Sequence, residues 1–177
     1  TSVTVSGKAG PTASAITLVN ASCGNPNGSI TCGAITGGTA PYTFSFNGSG
    51  FTATTSYTGL LAGGYPIIVQ DANGCSYTTS ATVIDNPGPT AIATTIVDET
   101  CGASNGSVTL GTVTNGTAPY TYSFNGSGFT ATTSYTALLA ASYPIIVKDA
   151  NGCTYNSSAT VTNINGATAI ATTIVNS

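Results

Sequence analysis

Cys23 recurs as Cys101, Pro41 as Pro119 and Cys75 as Cys153, each 78 residues further on. Between 39–85 and 117–163 only 10 of 47 positions differ, among them Phe44/Tyr122, Gly59/Ala137, Gln70/Lys148 and Ser76/Thr154. A solenoid turn takes about 20 to 45 residues, so a period of this length must close as a small domain with its own core. The ends keep the register: TSVTVSGKAGPT at 1–12 aligns with TSATVIDNPGPT at 79–90, and AIATTIV at 91–97 returns at 169–175. The expected plan is the end of a preceding repeat at 1–12, full repeats at 13–90 and 91–168, and the start of a following repeat at 169–177. The joins, Asn86-Pro87-Gly88-Pro89-Thr90 and Asn165-Gly166-Ala167-Thr168, are a few residues each and the first is stiffened by proline. That predicts limited swing between units.

Composition removes most functional classes. Charged residues are 4% of the chain, far below the usual quarter, while 41% hydrophobic content is enough for a packed core. Lys8 and Lys148 are the whole cationic inventory, so no basic surface exists to neutralise phosphates, and nucleic acid is excluded as a partner. Apolar runs such as Ile67-Ile68-Val69 fall far short of a spanning helix, so no membrane insertion is expected. With no His, no acid pair shared by both units and no phosphate loop, neither catalytic residues, cofactor nor metal is expected, and the chain is not read as an enzyme.

Within each unit the apolar residues alternate at a period of two, which marks half-buried strands. Tyr42, Phe44 and Phe46 form one run; Ile30, Cys32 and Ala34, then Tyr65, Ile67 and Val69, then Tyr77, Ala81 and Val83 form others. Asn-Gly pairs at Asn27-Gly28, Asn47-Gly48 and Asn73-Gly74 favour the positive φ of tight turns. About seven short strands in so small a unit predict an all-β fold: tandem immunoglobulin-like antiparallel β-sandwich domains.

The second unit holds only Cys101 and Cys153, so a disulfide within it has one possible pairing, and the first unit offers the equivalents Cys23 and Cys75. Two intra-unit disulfides are therefore expected, each stabilising its unit by roughly 4 kcal/mol in the chain-entropy picture and fitting an oxidising, extracytoplasmic location. Cys32 has Leu110 as its counterpart and reads as a buried free thiol acting as a small hydrophobe.

GGTAPYTFSFNGSG at 37–50 and GLLAGGYPIIVQDANGCSYTTSATV at 59–83, with their copies NGTAPYTYSFNGSG and ALLAASYPIIVKDANGCTYNSSATV, resemble the SprB repeat of Bacteroidota surface proteins. The resemblance implies a type IX secreted bacterial cell-surface protein whose immunoglobulin-like repeats form an adhesin or filament for gliding, attachment or prey contact, with no catalytic residues. One departure is Pro66 and Pro144, where the family usually has Thr. Proline cannot donate a ladder hydrogen bond, so this strand is expected at an edge, or with the affected position facing away from a partner.

Three further features are candidates. Asp71-Ala72-Asn73-Gly74 and Asp149-Ala150-Asn151-Gly152 offer too few carboxylates for calcium and read as turns. Asp98-Glu99, found only in the second unit, reads as a solvated strand end. The alternation turns Pro66, Ile68, Pro144 and Ile146 outward as an apolar stripe, an expected assembly face toward other copies in a fibre. The leading functional reading is a structural stalk whose partners are neighbouring repeats. The alternative is a binding module that stacks surface glycans on Phe51, Tyr57, Phe129 and Tyr135.

Overall fold

The computed structural model describes residues 7–166, which fall into two units dividing between Asn86 and Pro87. Half of the expected preceding repeat end at 1–12, residues 1–6, and all of the expected following start at 169–177 lie outside the described residues.

The first unit contains β1 (Pro11–Val19), β2 (Ala21–Ser22), β3 (Gly28–Gly37), β4 (Thr43–Phe46), β5 (Ser56–Leu60), β6 (Gly63–Gln70), β7 (Ser76–Val83) and β8 (Asp85–Asn86). Two three-stranded antiparallel sheets, ordered β1-β3-β5 and β4-β6-β7, carry the unit, and the short β2 and β8 pair in parallel. The second unit repeats this with β9 (Pro89–Val97), β10 (Glu99–Thr100), β11 (Gly106–Asn115), β12 (Thr121–Phe124), β13 (Ser134–Leu138), β14 (Ala141–Lys148), β15 (Thr154–Val161) and β16 (Asn163–Ile164). The units are immunoglobulin-like β-sandwiches without a helix among the described residues.

The period-two pattern explains the sandwich. Ile30 and Cys32 from one sheet meet Phe44, Ile67, Val69, Ala81 and Val83 from the other, all buried, while the intervening residues face solvent or the sheet margin. Val108, Leu110, Tyr122, Ile145, Val147, Ala159 and Val161 build the same core in the second unit. Leu110 takes the place of Cys32, so the larger side chain is absorbed without a change of register.

Alternation fails at Ala34, which was expected inward and is exposed. The register slips between Ser14/Ile35 and Ile16/Cys32, leaving Gly33 and Ala34 opposite the single residue Ala15. This bulge moves the inward position on by one residue, so Ile35 packs on the core. The Asn-Gly pairs also divide by role. Asn47 and Gly48 have φ of 49° and 79° and close a tight turn in which the Ser49 amide donates to the Phe46 carbonyl. Gly28 has no positive φ and begins β3; a Cβ there would lie 2.8 Å from Val83 Cγ1 and 2.9 Å from the Leu60 carbonyl oxygen, so the residue is small because the packing is tight.

Pro66 sits in the middle strand of its sheet, not at an edge. Its carbonyl accepts from the Asn47 amide at 2.9 Å, and in an antiparallel ladder a residue's N and O point the same way. The missing N–H therefore faces the end of β4, where pairing stops at Phe46. The sheet loses no interior bond, and Pro144 repeats the arrangement against Asn125.

The expected intra-unit disulfides do not form. Cys23 and Cys153 are disulfide-bonded, whereas Cys75 and Cys101 are free thiols. The strands give the reason. Cys75 immediately precedes β7, and Cys23 donates its amide to the Asn86 carbonyl just past the far end of β7. Eight extended residues span about 25 Å, whereas a disulfide needs Cα atoms roughly 4.4–6.8 Å apart. The two cysteines of a unit thus lie at opposite ends of it, and the intra-unit loop-closure stabilisation does not apply.

Glu99 is also not a solvated strand end: only 2% of its surface is exposed. Its carboxylate accepts from the Ser104 amide at 3.1 Å and the Ala140 amide at 2.6 Å. In the first unit the equivalents are Ala21, buried, and Pro26, which has no amide hydrogen to satisfy. The carboxylate and one of the two amides it serves, that of Ser104, are thus both absent from the first unit. Glu99→Ala should lower the denaturation midpoint of the second unit by an amount equivalent to about 1–3 kcal/mol through the stranded donors. Glu99→Gln, which keeps one acceptor oxygen in place, should lose less than Glu99→Ala in the same urea titration.

Candidate functional site

Each unit's most organised polar centre is the turn carboxylate that precedes the second cysteine. Asp71 is buried between the β6–β7 turn and the loop leading into β4. Its Oδ1 accepts from the amides of Asn73 and Cys75, both at 2.9 Å, and its Oδ2 from the Thr39 amide at 3.0 Å. Asp149 repeats this with Asn151, Cys153 and Thr117. The aspartate at the head of Asp-Ala-Asn-Gly-Cys thus acts as an acceptor for three backbone donors and ties the turn to the loop holding the cis Ala40-Pro41 peptide, or Ala118-Pro119 in the second unit. No group of three or more metal-ligating side chains occurs among the described residues. Sequence reasoning recognised the turn but not the long-range tie to Thr39, because a residue 32 positions away leaves no local signal.

Around the Asp71 carboxylate, burial opposes ionisation, but the hydrogen bonds from Thr39, Cys75 and Asn73 outweigh it and hold the carboxyl below the usual range. A carboxylate more acidic in the folded chain adds stability that is complete above its unfolded value of about 3.9 and is lost as pH falls through the folded value.

The proposed glycan-stacking residues separate into two kinds. The Tyr57 ring lies 3.8 Å from that of Phe46 with an interplanar angle of 8°, and the Tyr65 ring stacks with the same Phe46 ring at 5.3 Å. The Tyr57 hydroxyl donates to the Thr54 carbonyl at 2.8 Å, and burial, followed by the nearby Cys32, pushes its phenol up. Tyr135, Phe124 and Tyr143 form the same three-ring stack. Both tyrosines are therefore built into the sandwich flank. Phe51 and Phe129 are 45% and 41% exposed, and the Lys148 ammonium lies 4.1 Å above the Phe129 ring. In the first unit Gln70 holds that position.

On the outward stripe, Pro66 and Pro144 are exposed, but Ile68 and Ile146 are half-buried. Each isoleucine sits in a middle strand, Ile68 facing Ser45 and Thr78 across the ladders and Ile146 facing Ser123 and Asn156, which narrows the apolar surface to the prolines. Cys32 is free and buried, and burial pushes its thiol up, consistent with a packing side chain. Asp71→Asn should lower thermal stability at neutral pH and flatten the acid-induced decline that sets in as pH falls from the unfolded value of about 3.9 through the lower folded one. Melting curves recorded across the acid range test both effects.

No curated protein matches the sequence. Among solved structures, murine CEACAM1b is 11% identical, covering 85% of this chain and 100% of its own, with a TM-score of 0.39. Domains 4–9 of the surface layer protein SbsC are 16% identical, covering 92% of this chain and 32% of theirs, with a TM-score of 0.37. The sequence profile of the SprB repeat matches residues 15–51 and 93–129, running in each unit from the first strand through the tight turn after the fourth. Two stretches of the chain, one in each sandwich, are thus similar to the SprB repeat.

Proposed function

We propose that the chain is a non-enzymatic structural segment of a bacterial cell-surface adhesin or extracellular filament, where repeated sandwiches supply reach and tensile strength. The observation carrying this reading is that one unit is built twice in detail: core, bulge, turn carboxylate and three-ring stack recur position by position. A module selected to hold its own shape under load conserves such internal features. The exit of each unit is tied in the same spirit. Where the chain leaves the first unit, Ala21 and Cys23 donate their amides to the Ile84 and Asn86 carbonyls, and Gly24 donates to Asp85 Oδ1 at 3.0 Å. A chain pulled at Asn86 meets this parallel pair first. The similarity to the SprB repeat and the disulfide-bonded Cys23 and Cys153 support an extracellular, cell-surface setting. Attachment, gliding or prey contact would be the task of the parent structure, with other copies of the chain as partners through the exposed Pro66 and Pro144.

A second reading, a glycan-binding module, is favoured only by the exposed Phe51 and Phe129 rings. The two readings separate on one assay. The chain immobilised on a sensor and presented with bacterial and algal polysaccharides should give no saturable binding, and Phe51→Ala with Phe129→Ala should leave the response unchanged. Saturable binding abolished by that double variant, with folding intact by circular dichroism, would replace the stalk with the binding module.

A further inference from the structure

The free thiols of Cys75 and Cys101 are not equivalent to each other. Each has a counterpart in the other unit: Cys75 corresponds to Cys153, and Cys101 to Cys23. Both counterparts are disulfide-bonded, so each position of the repeat bonds in one unit and is free in the other. The bonded cysteines are one of each kind, a first-position cysteine from the Cys23/Cys101 pair and a second-position cysteine from the Cys75/Cys153 pair.

A glycine of the repeat marks where the kinds belong. Gly10, Gly88 and Gly166 stand at successive 78-residue intervals. A Cβ on Gly10 would lie 2.7 Å from Cys75 Cβ, and one on Gly88 2.5 Å from Cys153 Cβ, so the glycine leading into a unit is pressed against that unit's second cysteine. A Cβ on Gly166, leading out of the second unit, would lie 3.1 Å from Cys101 Sγ, the first cysteine of the unit it leaves. Gly10 and Gly88 thus border second-position cysteines, and Gly166 borders a first-position cysteine. Cys101 is exposed and Cys75 partly so, and both can be reached by a thiol outside their own unit.

We propose that Cys101 and Cys75 are complementary linking sites: a first-position cysteine where one unit ends bonds a second-position cysteine where another copy of the repeat begins. This rests on the structural-array reading and deepens it, because it gives the array a covalent, directional way to continue. The chemistry is thiol–disulfide exchange with a small external disulfide as oxidant. The Cys101 thiolate attacks one sulfur of the oxidant and expels a thiolate, forming a mixed disulfide. The Cys75 thiolate of the second copy then attacks the Cys101 sulfur and expels the second thiolate. Two thiols lose two protons and two electrons, and the oxidant is reduced to two thiols.

The test uses the 177-residue chain, its Cys75→Ser and Cys101→Ser variants, and oxidised glutathione, read on non-reducing gels and by mass spectrometry of proteolytic peptides. The wild-type chain should form a ladder of covalent multimers that collapses on reduction. Each variant alone should stay monomeric, and an equimolar mixture of the two should give a heterodimer containing the Cys75–Cys101 peptide. Homodimers formed by either variant as readily as by the mixture would overturn the proposal. So would a Cys75–Cys101 bond closed within one chain, or a wild-type chain that stays monomeric with both thiols still alkylatable. Loss of the ladder with unaltered folding would leave the stalk standing, whereas chains that fail to fold as two sandwiches would remove both.

Discussion

Two three-stranded sheets covering each other's apolar face are what everything else in a unit depends on. A three-stranded sheet has no stability on its own in water unless one face is hidden, and this chain, with almost no charged residues, has little else to oppose chain entropy. Ile30, Ile67, Val69 and Val83 are buried to within 1%, and truncating an isoleucine in such a place typically costs about 2–5 kcal/mol. The polar features serve the same end. The Asp71 carboxylate pins the turn and the loop that bracket β6 and β7, and the stacked rings of Tyr57, Phe46 and Tyr65 close the sandwich flank.

Much of this was legible in the sequence because β-structure writes itself at a period of two. Residues 65–69 alternate as they should, and the duplication doubles every signal. The misreadings came where structure depends on partners distant in the chain. Ala34 looked inward because a bulge cannot be seen from one strand. Of the two placements open to Pro66, an edge or a position facing away from a partner, the second holds, and the choice rests on where β4 stops pairing, 20 residues away. The cysteines invited pairing within a unit because parity carries no information about distance, and only the length of β7 shows that the two lie at opposite ends. Glu99 looked solvated because the Ala140 amide it satisfies is 41 residues on. Cys32, by contrast, was legible from its counterpart Leu110, since a position that accepts either side chain is one that wants volume.

The differences between the units are as informative as their likeness. Cys32 against Leu110, and Phe44 against Tyr122, change volume or add a hydroxyl at buried positions without moving a strand. Ala21 with Pro26 against Glu99 with Ser104 exchanges an apolar solution for a hydrogen-bonded one at the same corner. The duplicated fold therefore tolerates sequence drift wherever core volume and backbone satisfaction are kept, as expected of a module selected for its shape. Among what stays fixed are the glycine of the join, the aspartate beside the second cysteine, and both cysteines.

The central claim is that each unit is a self-contained load-bearing sandwich. Pulling the reduced chain between its ends by single-molecule force spectroscopy measures this directly. The account predicts two separate unfolding events, each releasing about 25 nm of chain, as expected for a 78-residue unit. A single event releasing both units together, or smooth extension without a force peak, would contradict it.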